Sequence, residues 1–139
     1  MASKHSARFS CEATSLAVRH TLQELTGRLA SWSVPPDPRV ELAVAEAMNN
    51  IVEHAYADNP DGRIHLDLEL LPEGVSIALS DRGVAMPDGA VPSGTMPAPE
   101  TLPEGGWGWS LIHACCDGLH YERVQGANEL KMVFQQAEI

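Results

Sequence analysis

Two neighbouring stretches of alternating apolar and polar residues constrain the fold most. Residues 64–71 (IHLDLELL) and 75–80 (VSIALS) place apolar side chains at every second position, which is the period of a strand with one buried face. Pro72, Glu73 and Gly74 separate the two stretches, and these residue types are typical of a turn. The pattern therefore predicts an antiparallel hairpin whose apolar face must be covered by another layer.

Further strands are predicted near both ends of the chain. Residues 7–13 (ARFSCEA) alternate in the same way and predict an opening strand. Residues 119–124 and 129–134 predict a closing hairpin around the turn residues 126–128 (GAN). The sheet is therefore expected to be largely antiparallel.

Three helices are predicted between these strands. Thr14 offers an N-cap for a helix that runs to about Ser31, where a proline-rich stretch ends it. Residues 39–57 repeat apolar side chains at helical spacing, and residues 107–116 predict a shorter helix. Helices layered on one face of a mostly antiparallel sheet make an α+β, two-layer sandwich. We expect residues 1–139 to form a single domain with its core at about 8–134.

The segment from about residue 85 to residue 106 contains too many prolines and glycines for a helix or a central strand (AMPDGAVPSGTMPAPETLPEGG). A loop of this length inside a small domain is uncommon and often has a function. We expect it to form a lid, although a disordered insertion would have the same composition.

Charge and hydropathy exclude several classes of function. The formal net charge of −10 and the absence of any Lys or Arg cluster argue against direct binding of nucleic acid or of an anionic membrane. No stretch approaches the roughly 20 apolar residues of a membrane span, and the first residues do not resemble a signal peptide. A cytoplasmic protein is therefore expected. The three cysteines lack CxxC spacing and predict neither a disulfide framework nor a zinc site.

The helix at 39–57 carries the first group of candidate functional residues. Glu46, Asn50 and Glu53 lie opposite its apolar stripe. A solvated helix face would give the same pattern, but Asn is a poor helix former, and two adjacent asparagines, Asn49 and Asn50, cost stability that Lys or Glu would recover. Asn50 could offer a carbonyl oxygen to Mg²⁺, and Glu46, one turn earlier, could accept a proton.

A second group follows the strand at 75–80. Asp81 could accept a hydrogen bond from an exocyclic amine such as that of adenine, and Gly83 would allow the backbone to approach a planar base. An ordinary turn beginning at Asp81 explains the same residues equally well.

The third group precedes the short helix at 107–116. Glycines such as Gly106 and Gly108 at a helix N-terminus leave unpaired N–H groups that favour an anion, which is the usual basis of a phosphate site. A flexible hinge for the lid is the alternative, and one glycine can serve both roles.

In this order and spacing the three groups resemble the N box and the two glycine boxes of the GHKL ATPase superfamily, whose members have the Bergerat ATP-binding fold. The segment from Glu46 to Tyr56 (EAMNNIVEHAY) is most similar to the helix motif of the anti-sigma factor serine/threonine kinases, and the resemblance extends from Arg8 to about Phe134. It implies an ATP- and magnesium-dependent protein kinase. It also implies a sequestered RNA polymerase sigma factor, a phosphorylated STAS-domain anti-anti-sigma partner and a homodimer.

The resemblance also implies roles for individual positions. Glu46 would be the catalytic base and Asn50 the Mg²⁺ ligand, whereas Asp81 would read adenine. The other positions implied in cofactor binding belong to the two glycine boxes: Gly83, Ala85, Gly106, Gly108, Trp109 and Ser110.

The sequence departs from the family pattern at two places near the expected base. Ala85 stands where a second glycine is usual, so its methyl group would be strained if the backbone required a positive φ. Asn128 stands where relatives often have a threonine, so its amide replaces an expected hydroxyl. The region from 83 to 122 also contains no Lys or Arg that could neutralise the γ-phosphate. These departures leave open a second hypothesis, a non-catalytic or weakly catalytic nucleotide-binding module that sequesters a transcription regulator.

Overall fold

A computed structural model describes residues 5–57, 59–91 and 106–136 of the chain. Within them the elements run in the order predicted, and their bounds are β1 Ser6–Glu12, α1 Ser15–Ser31, α2 Pro38–Asn50, β2 Arg63–Leu71, β3 Gly74–Asp81, α3 Gly106–Cys115, β4 Gly118–Val124 and β5 Ala127–Gln135. The described strands form a five-stranded sheet in the order β1-β2-β3-β5-β4, with every neighbouring pair antiparallel. The predicted α+β class is confirmed.

The core lies between one face of the sheet and the helices. Side chains of β2, β3 and β5 alternate, so that residues such as Leu66, Ile77 and Met132 are almost fully buried, and they share one core with Val44 and Met48 of α2. Each buried side chain of this size contributes about 1.5–3 kcal/mol. The opposite face of the sheet is mostly polar, as the period of two predicts.

Helix α2 begins at a capped and anchored N-terminus. The side chain of Asp37 accepts a hydrogen bond from the Arg39 N–H at 3.0 Å, and Pro38 occupies the first helical position, where its missing N–H costs nothing. The Arg39 guanidinium lowers the pKa of Asp37 and also contacts Asp117 and the Gln135 carbonyl. These contacts set where α2 starts relative to the sheet.

The end of α2 differs from the regular helix that the sequence predicts for 39–57. A π-helical turn, Ile51–Ala55, follows Asn50, and the Tyr56 N–H bonds to the Ile51 carbonyl at 3.0 Å. Ala57 then takes a φ of 48°, which ends the helix. Periodicity does not distinguish a single π turn from an α-helix, and such turns are frequent at functional sites.

The closing hairpin forms as predicted, but β5 begins two residues earlier than expected. Gln125 and Gly126 have φ values of 51° and 81°, the two positive values of a tight hairpin turn, and Ala127 begins β5. Asn128 is therefore a strand residue rather than a turn residue.

The predicted lid is described only in part. A 3₁₀ turn, Pro87–Gly89, occupies its beginning, and α3 starts at its last residue, Gly106. Residues 92–105 lie outside the described residues. None of the described helices is long and apolar enough to cross a membrane.

Candidate nucleotide site

The polar residues predicted from sequence gather beside a cavity of about 580 Å³ between the sheet and the end of α2. This volume is within the range typical of small-molecule sites. Four predicted site residues line it: Asn50, Asp81, Ala85 and Trp109. A larger groove of about 830 Å³ lies between α1 and the proline-rich stretch, and none of the predicted site residues lines it.

Four of the predicted site residues lie where α3 packs against α2. We call them the helix cluster: Glu46, Asn50, Gly108 and Ser110. An ideal Cβ placed on Gly108 would lie 2.9 Å from Glu46 Oε2 and 3.6 Å from Asn50 Nδ2. An added Cβ would force the end of the Glu46 side chain to move, so the glycine allows the first turn of α3 to approach these two side chains closely. Glu46 and Asn50 are half-buried, rather than solvated as the opposite face of an amphipathic helix would be.

Two polar atoms of the helix cluster are buried without a hydrogen bond. Asn50 Nδ2 and Ser110 Oγ have no partner among the described residues, and Ser110 is only 8 % exposed. Unpaired buried groups of this kind are costly, and they are usually satisfied by a ligand or water. Helix α3 begins at Gly106, four residues before Ser110, so the helix N-terminus also favours an anion at this corner.

Asp81, Gly83, Tyr121, Arg123 and Asn128, which we call the strand cluster, form at the other side of the cavity. The register pairs Asp81 of β3 with Asn128 of β5, and Asn128 with Arg123 of β4, so the three side chains share the inner face of the sheet. Asp81 is 4 % exposed, and its Oδ1 accepts hydrogen bonds from Asn128 Nδ2 at 2.9 Å and from the Gly83 N–H at 2.8 Å.

The carboxyl of Asp81 has an unusual electrostatic environment. Burial raises the pKa of Asp81, while the Asn128 amide, the Gly83 N–H and the positive charge of Arg123 each lower that pKa. Its Oδ2 has no hydrogen bond to any described residue. The residue can therefore offer one acceptor oxygen to a donor in the cavity.

Gly83 contacts the end of α2. An ideal Cβ at Gly83 would lie 2.3 Å from the Ala55 carbonyl oxygen, and the next N–H, of Val84, bonds to that oxygen at 2.8 Å. The glycine thus allows the loop after β3 to pack against the π turn. Ala85 has no positive φ, since the described non-glycine residues with positive φ are Ser33, Ala57 and Gln125. The backbone strain considered for Ala85, which stands where a glycine is usual, is therefore absent.

Sequence reasoning missed Tyr121 and Arg123, and it placed Asn128 in the turn. A two-residue turn at Gln125 and Gly126 would have indicated the correct position of Asn128, because such a turn brings Asn128 into β5 and opposite Asp81. His54, whose role the sequence left undecided, lines the cavity and is exposed. No group of three His, Cys, Asp or Glu side chains suited to a metal occurs in the described part of the chain.

Comparisons with known proteins show what the whole chain is similar to. A family model described as a histidine kinase-like ATPase domain matches residues 9–134. The serine-protein kinase RsbW of Oceanobacillus iheyensis is 31 % identical over 113 residues, covering 78 % of this chain and 71 % of that protein. An anti-sigma F factor of Clostridium beijerinckii is 26 % identical over 100 residues, covering 70 % of this chain and 68 % of that protein.

The fold is also found among solved structures. A crystal structure of the RsbU and RsbW domains of a Mycobacterium tuberculosis protein matches with a TM-score of 0.65 at 20 % identity. The match covers 95 % of this chain and 32 % of that longer chain, and at this identity it supports the fold alone. Taken with the family match and the curated relatives, the chain belongs to the histidine kinase-like ATPase family, in its group of ATP-binding anti-sigma serine/threonine protein kinases.

Proposed function

We propose that this protein transfers the γ-phosphoryl group of ATP to a serine or threonine of a STAS-type anti-anti-sigma partner, and that it sequesters an RNA polymerase sigma factor. Glu46 is the catalytic base, Asn50 the Mg²⁺ ligand, and Asp81 the residue that reads adenine. The observation that carries the proposal is the approach of Gly108 to both Glu46 and Asn50, at 2.9 Å and 3.6 Å from an ideal Cβ. It supports the proposal because Glu46 and Asn50 then lie beside the first turn of α3.

Glu46 is suited to the chemical step because it is an oxygen base beside the anion-favouring end of α3. A partner's hydroxyl that enters this corner would give its proton to the Glu46 carboxylate as its oxygen attacks the γ-phosphorus, and the bond from that phosphorus to the bridging oxygen breaks to release ADP. Proton acceptance and phosphate binding need groups at different positions. The Glu46 carboxylate must face the hydroxyl, while the N–H groups of α3 face the phosphates. Their proximity supports phosphoryl transfer rather than nucleotide storage alone.

The helix cluster also fits a magnesium-bound triphosphate. The buried, unpaired Nδ2 of Asn50 supplies an N–H donor for a phosphate oxygen, and the amide oxygen of Asn50 is of the kind Mg²⁺ prefers. Ser110 Oγ is a second unpaired donor in the first turns of α3. Residues 83–122 contain no Lys or Arg that could neutralise the charge of the phosphates. Bound Mg²⁺ would neutralise that charge instead.

The strand cluster fits the base. Asp81 Oδ2 faces no described donor, whereas an exocyclic amine of adenine supplies one. Trp109 and Ala85 line the same cavity and provide apolar surface for the ring. Gly106 and Gly108 then bring N–H groups of α3 to the phosphates.

The partners follow from the relatives rather than from the cavity. Proteins named serine-protein kinase RsbW and anti-sigma F factor match most of this chain. A net charge of −10 suits a partner with a basic surface. We propose a homodimer that works in the cytoplasm, where sigma factors act.

Phosphoryl transfer is tested with labelled ATP, Mg²⁺ and a candidate STAS-domain protein. Wild type is compared with Glu46→Gln and Asn50→Ala, and with Glu41→Gln as a matched control, since Glu41 is an exposed carboxylate on the same helix and is not part of the helix cluster. Glu46→Gln should bind ATP and lose transfer by about 100- to 10,000-fold, the range for a general base. Glu41→Gln should transfer at the wild-type rate.

Two results would contradict the proposal in different ways. Equal transfer by wild type and Glu46→Gln would refute the base assignment. Tight binding of the sigma factor or the STAS protein with no transfer by wild type would favour the non-catalytic binding module instead.

A further inference from the structure

Asn128 is a member of the strand cluster that the proposed function leaves without a role, and both ends of its amide are hydrogen-bonded. Its Nδ2 donates to Asp81 Oδ1 at 2.9 Å and to the Val84 carbonyl at 2.9 Å. It is 5 % exposed. One amide group therefore joins β5 both to the carboxylate and to the loop that follows β3.

The other end of the same amide is occupied by donors. Asn128 Oδ1 accepts from the Tyr121 hydroxyl and from Arg123 Nη1, the latter at 3.1 Å. The Tyr121 hydroxyl in turn accepts from the Met86 N–H at 3.1 Å, and Arg123 Nη1 donates to the Gly83 carbonyl at 2.8 Å. The network thus holds the loop from Gly83 to Met86 against β4 and β5.

This arrangement requires an amide. The side of Asn128 that faces Asp81 and Val84 meets acceptors, whereas the side that faces Tyr121 and Arg123 meets donors. Only one orientation of an amide satisfies both sides. A carboxylate would repel Asp81, and a single hydroxyl could not reach both sets of partners.

We infer that Asn128 is a positioning residue of the base pocket, which holds Asp81 with Oδ1 occupied and Oδ2 presented to the cavity, and thereby sets the preference for a 6-amino purine over a 6-oxo purine. The inference rests on the proposed role of Asp81 in reading adenine. It assigns Asn128 an action through Asp81 and the 83–86 loop.

The physical reason is the fixed orientation of the carboxylate. A fixed, ionised Oδ2 accepts from the amine of adenine but faces the carbonyl oxygen of a 6-oxo purine, which repels it. Without Asn128 the carboxylate loses one of its two hydrogen bonds to described residues and can rotate or take up a proton. A protonated or rotated Asp81 accommodates the 6-oxo purine, so selectivity falls.

The test compares the dissociation constants of ATP and inosine triphosphate, measured by calorimetry with the full chain. Asn128→Ala should weaken ATP binding about tenfold or more, as expected for loss of a hydrogen bond to a charged group, and should reduce the ATP preference by a similar factor. Glu129→Gln is the matched control, since the neighbouring Glu129 is exposed and points to the opposite face of β5. It should keep both values.

A second measurement does not depend on nucleotide. Carbon-13 NMR of the unliganded protein should show a higher pKa of Asp81 in Asn128→Ala than in wild type, because the amide that lowers this pKa is gone. If Asn128→Ala does not fold, Tyr121→Phe removes only the hydroxyl behind the amide, and should shift both readouts in the same direction by a smaller factor.

An unchanged ATP preference together with an unchanged Asp81 titration, in a folded Asn128→Ala, would overturn the inference. If wild type binds both nucleotides equally, the proposed reading of adenine by Asp81 fails, and the selectivity role of Asn128 fails with it. If wild type prefers ATP and only the variant result is negative, the proposed function stands without this role for Asn128.

Discussion

The two clusters beside the cavity differ in how completely their polar groups are satisfied. In the strand cluster, Asn128 is hydrogen-bonded at both ends of its amide, and Asp81 Oδ1 accepts two hydrogen bonds. In the helix cluster, Asn50 Nδ2 and Ser110 Oγ are buried without partners. One side of the site is thus largely preorganised by the protein alone, while the other leaves buried polar groups for a ligand or water to satisfy.

The difference follows from the elements that carry each cluster. The strand cluster lies on adjacent strands whose register is set by a continuous ladder, so cross-strand partners such as Asp81 and Asn128 face each other. The helix cluster lies where α2 and α3 pack, and Gly108 approaches Glu46 and Asn50 closely there. We therefore expect the strand cluster to determine which base binds and the helix cluster to determine whether phosphate is transferred.

Removal of divalent metal with EDTA should give the largest effect and should act on the helix cluster alone. Transfer to the STAS-domain protein should fall by about 1000-fold or more, since a bound metal contributes several kcal/mol of transition-state stabilisation. Adenosine, which has no phosphate, should bind with the same affinity with or without metal. Undiminished transfer in EDTA would contradict the assigned role of Asn50.

Asp81→Asn should separate binding from stability at the strand cluster. The Kd for ATP should rise about 10- to 100-fold, because an amide N–H replaces the acceptor oxygen that faces the base. The melting temperature should not fall, since the substitution removes a buried charge and an Asn oxygen can still accept from Asn128 and Gly83. Asp67→Asn, at a partly exposed carboxylate paired with Arg8, is the control for nucleotide binding. A large loss of stability with unchanged ATP affinity would refute the assignment.

Gly83→Ala should destabilise the junction between β3 and the end of α2. The added Cβ would lie 2.3 Å from the Ala55 carbonyl oxygen and 2.5 Å from its carbon, so the backbone must move. A loss of about 1–3 kcal/mol in the free energy of unfolding is expected in urea titrations. Gly27→Ala is the matched control, because an added Cβ there has nothing within 4 Å. That change, inside α1, should stabilise by about 0.5–1 kcal/mol, and equal losses at both positions would rule out the steric explanation.

The pH dependence of ATP binding should give the smallest effect, a change of about a few-fold. Because burial raises the pKa of Asp81, its carboxylate should lose affinity for adenine at a higher pH than an ordinary Asp as the pH falls. Arg123 and Tyr121 on β4 and Asn128 on β5 face this carboxyl, and Glu53 and His54 line the same cavity. Calorimetry at several pH values on wild type and Asp81→Asn checks this prediction. The variant should lack the part of the pH dependence that comes from the Asp81 carboxyl.

The stability of the unliganded protein should change with pH in the opposite direction to its ATP affinity. A carboxyl whose folded pKa is raised binds more protons in the native state between its unfolded and folded pKa values, so its contribution to stability rises as pH falls through that window. Above the folded pKa, the buried charge destabilises the fold by its full amount. Parallel changes in stability and ATP affinity at this residue would contradict the raised pKa.

Local patterns determined most of the architecture. A period of two in residues 64–71 and 75–80 predicts the central hairpin, and helical spacing after Pro38 predicts α2, because side-chain direction repeats with the backbone geometry of each element. The motif from Glu46 to Tyr56 indicated the family, which the comparisons confirm. The assignments of catalytic and binding roles stay predictions.

Only the tertiary structure decided how the site is built. Register across β3, β5 and β4 brings Asp81, Asn128 and Arg123 into one row, and the close packing of Gly108 and Gly83 brings α3 to α2 and the loop after β3 to the π turn. These contacts join residues far apart in the chain. They depend on strand register and on which backbones can approach within van der Waals distance, and neither quantity is encoded in the periodicity of a single segment.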